Sequence, residues 1–581
     1  MNKYKLLISV LDSIIAEAQS VSDRNIYDIS NEESANQARA RAMIHLFLRT
    51  RFGLINFIDA ENFITDGSGD GGLDAYYIDH EYKTIFLIQS KFRTSETNFE
   101  NAPVSGYELF KMDLGSITSG NVQSQDGETF NGKILGFQRL IREINNINQY
   151  NYCLIFLGNI PGNLDPARLN DVSGRVCNVV EVINGKDIYN KLLLPYLQSD
   201  FYNKKEFILK IKVNQNQSNR INYAVNINGQ SVNINLSFIP TLEVAKMMNE
   251  YKNSLLKYNP RCYVGIKKGG VNKKIADSIS QTDSNEFSLL NNGITIVCND
   301  FQYTDRNAEP GIATLLITNP QIVNGGQTAF TLAKIFSSQN TDIFANKEVL
   351  VKFISLNEEQ TPEQISLIEK ISEATNNQTP VVLSDRKSND IALVNLQNYL
   401  FENHGFLLER KKGEFFEAIS KNIISKDKII SKELIMRLSF VINGKVAEAR
   451  SYSNEKLFKD YPLPLIDFDE LFKIISIYKI VESFMQSTSN QDERFRVAEF
   501  GFGLKYGKYA ITSAVFNLLR NSADSIEIMV ERVKTMWLGF EAAMPNEEHN
   551  RDYFDDGFNY ANYYKGKTIN EDLVNYFESN R

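Results

Sequence analysis

Hydrophobic and polar residues repeat with two different periods along the first 200 residues of the chain. Residues 1–20 and 31–52 repeat apolar side chains at helical spacing, and Ser30 with Glu33 has the spacing of a capping box at the start of the second helix. The period then changes to that of strands, which the turn sequences DGSGDGG and DHEYK separate. The predicted strands cover residues 61–65, 73–79, 84–92, 151–158 and 176–182, and further helices cover residues 105–112 and 134–145.

The pattern changes again in the middle of the chain. Residues 207–213, 222–227 and 231–238 alternate like the strands of a meander, and a helix is predicted over residues 242–257. An α/β pattern then continues to about residue 425, after which the chain is mostly helical. We therefore predict an α/β multidomain fold with an α/β N-terminal domain, an α/β central region and a mostly helical C-terminal region, which cover residues 1–203, 204–425 and 426–581.

Composition excludes several classes of protein. The chain has 581 residues, of which 43% are hydrophobic and 23% are charged, as in ordinary globular proteins. No apolar run reaches the roughly 18 to 20 residues that span a bilayer, so we expect no membrane partner. Asp12 and Glu17 interrupt the apolar start of the chain, which favours an amphipathic helix over a signal peptide.

The cysteines and histidines form no recognisable metal-binding pattern. The four cysteines are far apart and the four histidines are scattered, so we expect neither a disulfide framework nor a structural zinc site. This cysteine usage fits a reducing cytoplasm. The net charge of −8 does not exclude nucleic-acid binding, because a local basic patch decides that property.

The strand predicted over residues 84–92 ends in two polar residues on one face. Alternation along T-I-F-L-I-Q-S-K-F places Gln89 and Lys91 on the same side. The preceding strand is joined by a short turn, so the two strands are expected to pair antiparallel and to bring Asp74 to the same end. Carboxylate and amide oxygens suit a hard cation such as Mg²⁺ (or Mn²⁺), and a lysine stabilises charge that develops on a phosphate. The three residues therefore predict a site for phosphodiester hydrolysis.

This segment resembles the PD-(D/E)XK nuclease superfamily. The match consists of D-G-G-L-D at residues 70–74, a hairpin, and I-Q-S-K at residues 88–91, in the Q-x-K form of Mrr-type restriction endonucleases. The resemblance implies a restriction-endonuclease-like N-terminal fold. It also implies that Asp74 binds metal, that Gln89 replaces the usual acidic ligand, and that Lys91 is the catalytic lysine. A further acid is wanted from the preceding helix, and Glu33 is the candidate.

Each of these residues also has a purely structural interpretation. Asp70 and Asp74 are common turn formers, Lys91 can be a solvated strand end, and Glu33 can simply complete a helix cap. Two other motifs are rejected. Asp66 begins a sequence like an EF-hand loop, but its twelfth position is a tyrosine, and the glycines that spell a dinucleotide-binding fingerprint lead into a strand instead of a helix.

A second group of polar motifs lies between residues 259 and 415. Amides, hydroxyls and glycines follow apolar segments in L-N-N-G-I-T (residues 290–295), V-N-G-G-Q-T (323–328) and A-T-N-N-Q-T-P-V (374–381), and E-R-K-K-G-E (409–414) adds a basic cluster. A glycine turn that opens a helix offers free N–H groups to an anion. The candidate residues for binding nucleic acid or a nucleotide are Asn292, Asn324, Gly325, Gly326, Gln327, Thr328, Arg410, Lys411 and Lys412. The alternative is that these motifs are tight turns whose amides satisfy neighbouring backbone groups.

These ordered motifs resemble the AIPR family, which is named for abortive infection and phage resistance, over roughly residues 215–540. The resemblance implies a cytoplasmic protein of anti-phage defence that responds to a phage-derived trigger. Together with the first group of residues, it predicts a metal-dependent endonuclease whose substrate is nucleic acid, DNA before RNA. The alternative is a non-catalytic nucleic-acid- or nucleotide-binding regulator with a degenerate nuclease fold. Whether the protein forms a homodimer is left open.

Overall fold

The computed structural model of the chain has two compact units. One contains residues 1–375 and 413–426, and the other contains residues 376–412 and 427–581. The predicted domain boundaries near residues 203 and 425 stay a prediction. The structure describes residues 2–21, 26–105, 108, 112–162, 176–177, 179–201, 206–212, 220–227, 230–263, 265, 270–280, 286–304, 311–337, 341–356, 361–376, 387–460, 463–488, 500–520, 522–555 and 559–579.

The first unit begins with three helices, which are α1 (Lys3–Val21), α2 (Glu32–Phe52) and α3 (Phe57–Glu61). The predicted capping box of Ser30 and Glu33 was wrong by one position. Asn31 caps α2, because its side-chain oxygen accepts the backbone N–H of Ser34 at 3.0 Å and the Ser34 hydroxyl completes the capping box. The C-cap residue of α2 is Gly53, with a left-handed φ of 69°.

A four-stranded sheet follows, with the order β1-β2-β3-β4. Its strands are β1 (Ala75–Asp79), β2 (Thr84–Ser90), β3 (Asn151–Leu157) and β4 (Val179–Ile183). The β1–β2 pair is antiparallel, as the sequence predicted, whereas β3 and β4 continue the sheet in parallel. Ile85 and Leu87 of β2 pack in one hydrophobic cluster with Ile134 and Phe137 of the Gly132–Glu143 helix.

The predicted strand over residues 61–65 was wrong. This segment contains the end of α3, because Asn56 caps the helix through the N–H groups of Ile58 and Asp59. Only Ile64 makes an isolated bridge to Ala75. The helix predicted over residues 105–112 falls mostly outside the described residues.

The rest of the first unit contains two more sheets. One has the order β5-β10-β9 and the other the order β11-β8-β12-β7-β6. The predicted meander was therefore wrong in its first strand, because β5 pairs with β10 and brings Leu209 opposite Leu315 in the core, while β6 and β7 form a hairpin. The strands are β5 (Glu206–Lys212), β6 (Arg220–Ile227), β7 (Gln230–Pro240), β8 (Ile294–Cys298), β9 (Asp300–Thr304), β10 (Ile312–Thr318), β11 (Gln321–Asn324) and β12 (Glu348–Ser355).

Further helices of this part of the chain are short or of medium length. They are Glu96–Asn101, Leu114–Thr118, Gly132–Glu143, Gly185–Ile188, Leu194–Leu197, Thr241–Tyr251, Val271–Ser280, Phe287–Leu290, Gly326–Ser337, Pro362–Asn376 and Phe416–Ser420, with a π-helix at Tyr189–Leu193.

The second unit is mostly helical, which confirms the prediction for the C-terminal region. Its strands β13 (Leu407–Glu409) and β14 (Ile429–Ser431) form a short parallel pair. Trp537 is fully buried in a large hydrophobic cluster of helices. The helices are Ile391–His404, Lys432–Ile442, Val446–Ser451, Asn454–Lys459, Phe468–Thr488, Gly503–Tyr506, Lys508–Arg520, Ile526–Ala543, Arg551–Phe554, Tyr560–Tyr563 and Ile569–Ser579. Across the described parts of both units, every helix is too short or too polar to cross a bilayer.

Candidate metal centre

A glycine-rich loop, residues 66–72, connects the end of the α3 region to β1. The backbone N–H groups of Thr65 and Asp66 both donate to the carbonyl oxygen of Asp74, which closes the loop at its base. Gly71 has a φ of 61°, and a Cβ there would lie 2.6 Å from the Phe130 ring. The loop is therefore held against the segment that precedes the Gly132–Glu143 helix, in a conformation that requires glycine.

Three aspartates of this loop and its base converge. Ligand oxygens of Asp66, Asp70 and Asp74 all lie within 4.8 Å of one another. Asp66 is exposed, Asp70 is partly exposed and Asp74 is only 6% exposed, so the cluster extends from the surface into the protein. Such a set of hard oxygen donors fits a divalent cation of the Mg²⁺ class.

Burial shifts the pKa values of two carboxyl groups in the cluster. Burial raises the pKa of Asp74 to about 7, although the Ser90 N–H, which donates to Asp74 Oδ2 at 2.6 Å, and the charge of Lys91 lower it. Burial also raises the pKa of Asp70, whose carboxylate accepts the N–H groups of Gly67 and Gly72. A bound cation would favour the charged form of both groups.

Lys91 lies near this cluster, and Gln89 precedes it by two residues. Alternation along β2 extends the face of Ile85 and Leu87 to Gln89, whereas Lys91 directly follows the end of the strand. Gln89 is 1% exposed, and its buried Oε1 atom has no hydrogen-bond partner among the described residues. Lys91 is partly exposed and interacts electrostatically with Asp70 and Asp74. Lys91 and Asp74 therefore lie near each other at the end of the β1–β2 hairpin, and the roles of Asp74, Gln89 and Lys91 stay a proposal.

Glu33 is not in this cluster. It is exposed in the first turn of α2 and lines a surface depression together with Phe92 and Thr94. Asp66 and Asp70 therefore replace Glu33 in the candidate centre. The sequence interpretation treated these two aspartates as turn residues or as parts of rejected motifs, because it could not show how the loop folds back onto Asp74.

A buried network that the sequence analysis missed holds the loop from the other side. Arg41 of α2 is 3% exposed and contacts Glu61 at 2.5 Å and Asp66 Oδ2 at 3.2 Å. Glu61 also accepts hydrogen bonds from Tyr27 at 2.7 Å and from the His45 ring at 2.9 Å. We call these residues the Glu61 network. It fixes the Asp66 end of the cluster through Arg41.

The Glu61 network contains one firmly ionised carboxylate. Burial alone would raise the pKa of Glu61, but hydrogen bonds from His45, Arg41 and Tyr27 and the charge of Arg41 hold that pKa well below its ordinary value. Burial lowers the pKa of His45, so the ring is neutral at neutral pH and donates through Nε2. His45 is therefore a structural hydrogen-bond donor in this network.

The V-N-G-G-Q-T turn joins β11 to the Gly326–Ser337 helix, and its polar side chains bond to the protein. Asn324 Nδ2 donates to the carbonyl of Thr375 at 2.6 Å, and Gln327 Nε2 donates to the carbonyl of Cys262 at 2.8 Å. The Thr328 hydroxyl accepts a hydrogen bond from Asn291 at 3.2 Å. This pattern is typical of a turn whose polar groups are satisfied internally.

The glycines of this turn allow a close backbone approach. Gly325 has a φ of 83°, and a Cβ there would lie 2.8 Å from the carbonyl oxygen of Gly293. A Cβ on Gly326 would meet Asn259 and Leu256 at 3.1 Å. Asn292, the other candidate near this turn, is exposed.

The three basic candidates at residues 410–412 belong to the second unit and differ in exposure. Arg410 donates to Gln397 at 2.7 Å and to the carbonyl of Ser388 at 3.1 Å. Lys411 is 6% exposed, whereas Lys412 is exposed. Of the three, Lys412 is therefore best placed to reach a ligand from solvent.

Comparison with known proteins identifies one family. The family model described as AIPR protein matches residues 256–544, just under half of the chain. We call residues 256–544 the AIPR region, after the family whose model they match. The match supports the predicted resemblance to this family, although it begins at residue 256 and not near residue 215. The AIPR region contains the V-N-G-G-Q-T turn and residues 410–412, whereas the three aspartates lie outside it. No curated protein and no solved structure matches the chain.

Proposed function

We propose that the protein is a metal-dependent nuclease of anti-phage defence. The observation that supports the chemistry is the convergence of Asp66, Asp70 and Asp74 beside Lys91 at the end of a β-hairpin. The observation that supports the biological role is the AIPR region, whose family is named for abortive infection and phage resistance.

The donor set fits Mg²⁺ or Mn²⁺. Three carboxylates and the unpartnered amide oxygen of Gln89 are all hard ligands, and an orphaned buried oxygen is costly unless something binds it. In this proposal Asp74, with Asp70 and Asp66, holds the cation and Gln89 completes its ligand set. A cation held there would supply Lewis-acid polarisation of a scissile phosphodiester.

Lys91 has the catalytic role in this proposal. Its ammonium group is close enough to Asp70 and Asp74 to influence both carboxylates, and its partial exposure lets a substrate reach it. Lys91 would stabilise the negative charge that builds up on the phosphate as the bond breaks. The Glu61 network would keep Asp66 in position through Arg41.

The wider assignment follows the family resemblance. The N-terminal region would have a restriction-endonuclease-like fold, the substrate would be nucleic acid, DNA before RNA, and a phage-derived molecule would be the trigger. A cytoplasmic location fits a nuclease that attacks intracellular phage nucleic acid.

The test is cleavage of plasmid DNA, linear DNA and RNA with Mg²⁺, with Mn²⁺ and with a chelator. Lys91→Ala is expected to lower the cleavage rate about 100-fold or more, because one group that stabilises transition-state charge is lost. The matched control is Lys191→Ala, which removes an exposed lysine paired with Asp187 in the same unit. Lys191→Ala is expected to cleave like the wild type.

Two outcomes would contradict the proposal. Equal cleavage by wild type and Lys91→Ala would remove the catalytic role of Lys91. If the wild type binds DNA in a salt-sensitive manner but shows neither cleavage nor stabilisation by Mg²⁺ or Mn²⁺, the non-catalytic regulator becomes the better description.

A further inference from the structure

A second polar site lies in the first unit, away from the aspartates. It is a cavity of about 130 Å³ whose walls come from α1, α2, the segment around residue 199, Lys252 and residues 417–423. Glu17 and Lys421 on its walls are 33% and 41% exposed, so solvent reaches it from their side. The cavity therefore joins the N-terminal helices to part of the AIPR region.

Cations outnumber carboxylates around this cavity. Arg49, Lys252 and Lys421 line it, and they share two carboxylates, Glu17 and Glu417. Glu17 contacts Arg49 at 2.8 Å and Lys421 at 2.9 Å.

Glu417 is already shared by two lysines. It contacts Lys252 at 3.4 Å and Lys334, a fourth cation just outside the walls, at 2.5 Å. Burial lowers the pKa of Lys252, and although Glu417 raises it, the charges of Lys334 and Lys421 lower it further. The local charge is therefore positive even when both carboxylates are ionised.

Two buried donors on the walls are not fully satisfied within the described part of the chain. Arg49 is 2% exposed, and its Nε atom is buried without a hydrogen-bond partner there. The buried hydroxyl of Tyr196 lies close enough to the Arg49 guanidinium for its oxygen to accept a hydrogen bond, but its own O–H has no acceptor among the described residues. Unpartnered buried donors are rare, and each needs a physical explanation such as a ligand.

The backbone of two wall residues is strained. Ser199 has a φ of 54°, and Lys252 combines a φ of 46° with a ψ of −125°. Residues other than glycine and asparagine seldom adopt such angles, and where they do the conformation often positions a functional group. Here it places Lys252 on the cavity wall.

We propose that this cavity binds a small anion of the phosphate class, held by Arg49, Lys252, Lys421 and the Tyr196 hydroxyl. The volume is large enough for one tetrahedral oxyanion. The anion is either free phosphate or the phosphate group of a nucleotide whose remainder extends past Glu17 and Lys421 to solvent. This site is independent of the nuclease assignment.

The first experiment titrates inorganic phosphate into the full-length protein and follows the melting temperature, Tm. Sodium chloride at equal ionic strength is the reference. A saturable rise in Tm above that reference is expected, because a ligand that binds only the folded state stabilises it. A phosphate curve identical to the chloride curve would overturn the proposal.

Variants test whether the rise in Tm depends on phosphate binding in this cavity. Lys421→Met is expected to weaken phosphate binding about tenfold, because a charge-assisted hydrogen bond is lost. Lys246→Met is the matched control, since Lys246 is 50% exposed and contacts Glu243 at 2.8 Å, much as Lys421 contacts Glu17. Equal weakening in both variants, or in neither, would contradict the assignment.

A variant that is expected to bind phosphate more tightly controls for losses of binding that are caused only by unfolding. Glu17→Gln removes the carboxylate that competes with the anion for Arg49 and Lys421, so phosphate is expected to bind more tightly. Glu243→Gln, which frees Lys246, is expected to leave phosphate affinity unchanged. Weaker binding by Glu17→Gln would overturn the proposal.

Calorimetry with adenosine monophosphate and a short DNA duplex separates the sources of the phosphate group. Tighter binding of adenosine monophosphate than of inorganic phosphate, with the same dependence on Lys421, would identify a nucleotide as the ligand. Equal affinities would identify phosphate itself. Binding of the duplex alone would contradict a small-anion site and would indicate a nucleic-acid groove.

Discussion

The end of the β1–β2 hairpin and the V-N-G-G-Q-T turn are both polar motifs beside buried strands, but their hydrogen bonding differs. At the hairpin, Asp74 is a buried acid with a raised pKa, and no partner for Gln89 Oε1 is found in the part of the chain that the structure describes. In the turn, Asn324 and Gln327 donate to backbone carbonyls of distant segments. The first region keeps a buried amide oxygen unsatisfied among the described residues, whereas the second uses its polar groups to hold the fold.

This difference separates function from structure where the residue types alone do not. Glycine, aspartate, asparagine and glutamine occur in both motifs, and both follow or precede strands. A group that folding leaves unsatisfied is a candidate for ligand binding, because its desolvation is otherwise uncompensated. The variants below test whether the hairpin end loses function, and the turn loses stability, when their polar groups change.

The largest effect is expected from Asp74→Asn. The variant keeps the shape of the side chain but removes a carboxylate ligand, so metal-dependent cleavage is expected to fall about 100-fold or more and the rise in Tm caused by the metal is expected to be largely lost. Cleavage assays and melting curves with and without Mn²⁺ measure the two effects. Asp79→Asn at the other end of β1 is the control, because an asparagine there can still accept the N–H groups of Glu81 and Tyr82. Wild-type metal response in Asp74→Asn would contradict the metal centre.

The next effect is expected from Glu61→Gln. Arg41 would remain buried beside a neutral partner, so the free energy of unfolding is expected to fall by about 2 to 3 kcal/mol at neutral pH. Cleavage is expected to fall less than in Asp74→Asn, because Arg41 still contacts Asp66. Chemical denaturation and cleavage assays measure both quantities. A variant as stable as the wild type would show that the network does not hold the loop.

The same variant has a characteristic pH dependence. The pKa of Glu61 is depressed in the folded protein, so its contribution to stability is present above the ordinary pKa of 4.5 and is lost as the pH falls through the folded value. The stability difference between wild type and Glu61→Gln is therefore expected to shrink as the pH drops below 4.5. A difference that stays constant in acid would contradict the assigned ion pairs.

Local periodicity predicted the part of the centre that lies within one hairpin. The short connection predicted the antiparallel β1–β2 pair, which the structure confirms, and with it the approach of Asp74 at the start of β1 to the end of β2, because this relation depends on residues close in sequence. Asp66 and Glu61 could not be found in this way. Their roles depend on Arg41 of α2, which meets them only through tertiary packing, and on α3, whose last residue, Glu61, the sequence pattern placed in a strand.

In the V-N-G-G-Q-T turn, a substitution is expected to lower stability and to leave cleavage unchanged. Gln327→Met would remove one hydrogen bond to the carbonyl of Cys262 and one from the amide of Asn272, which keeps its bond to Gly265, so the free energy of unfolding is expected to fall by about 1 to 2 kcal/mol. Metal-dependent cleavage by the folded protein is expected to stay at the wild-type level. Denaturant titration measures the free energy of unfolding, and assays at a temperature well below Tm measure the cleavage rate. Lost cleavage with unchanged stability would show that the turn binds substrate after all.

The smallest effect is expected from Lys412→Ala. Lys412 is exposed, so its removal is expected to change the free energy of unfolding by less than about 0.5 kcal/mol. If it contacts a phosphate, DNA binding weakens equally for all sequences and the slope of log affinity against log salt falls by about 1. Arg410→Met is the contrasting variant, because Arg410 is bonded to Gln397 and Ser388 and its loss is expected to reduce stability. Unchanged affinity and salt slope in Lys412→Ala would remove Lys412 from the nucleic-acid interface and leave the hairpin end as the main point of contact with substrate.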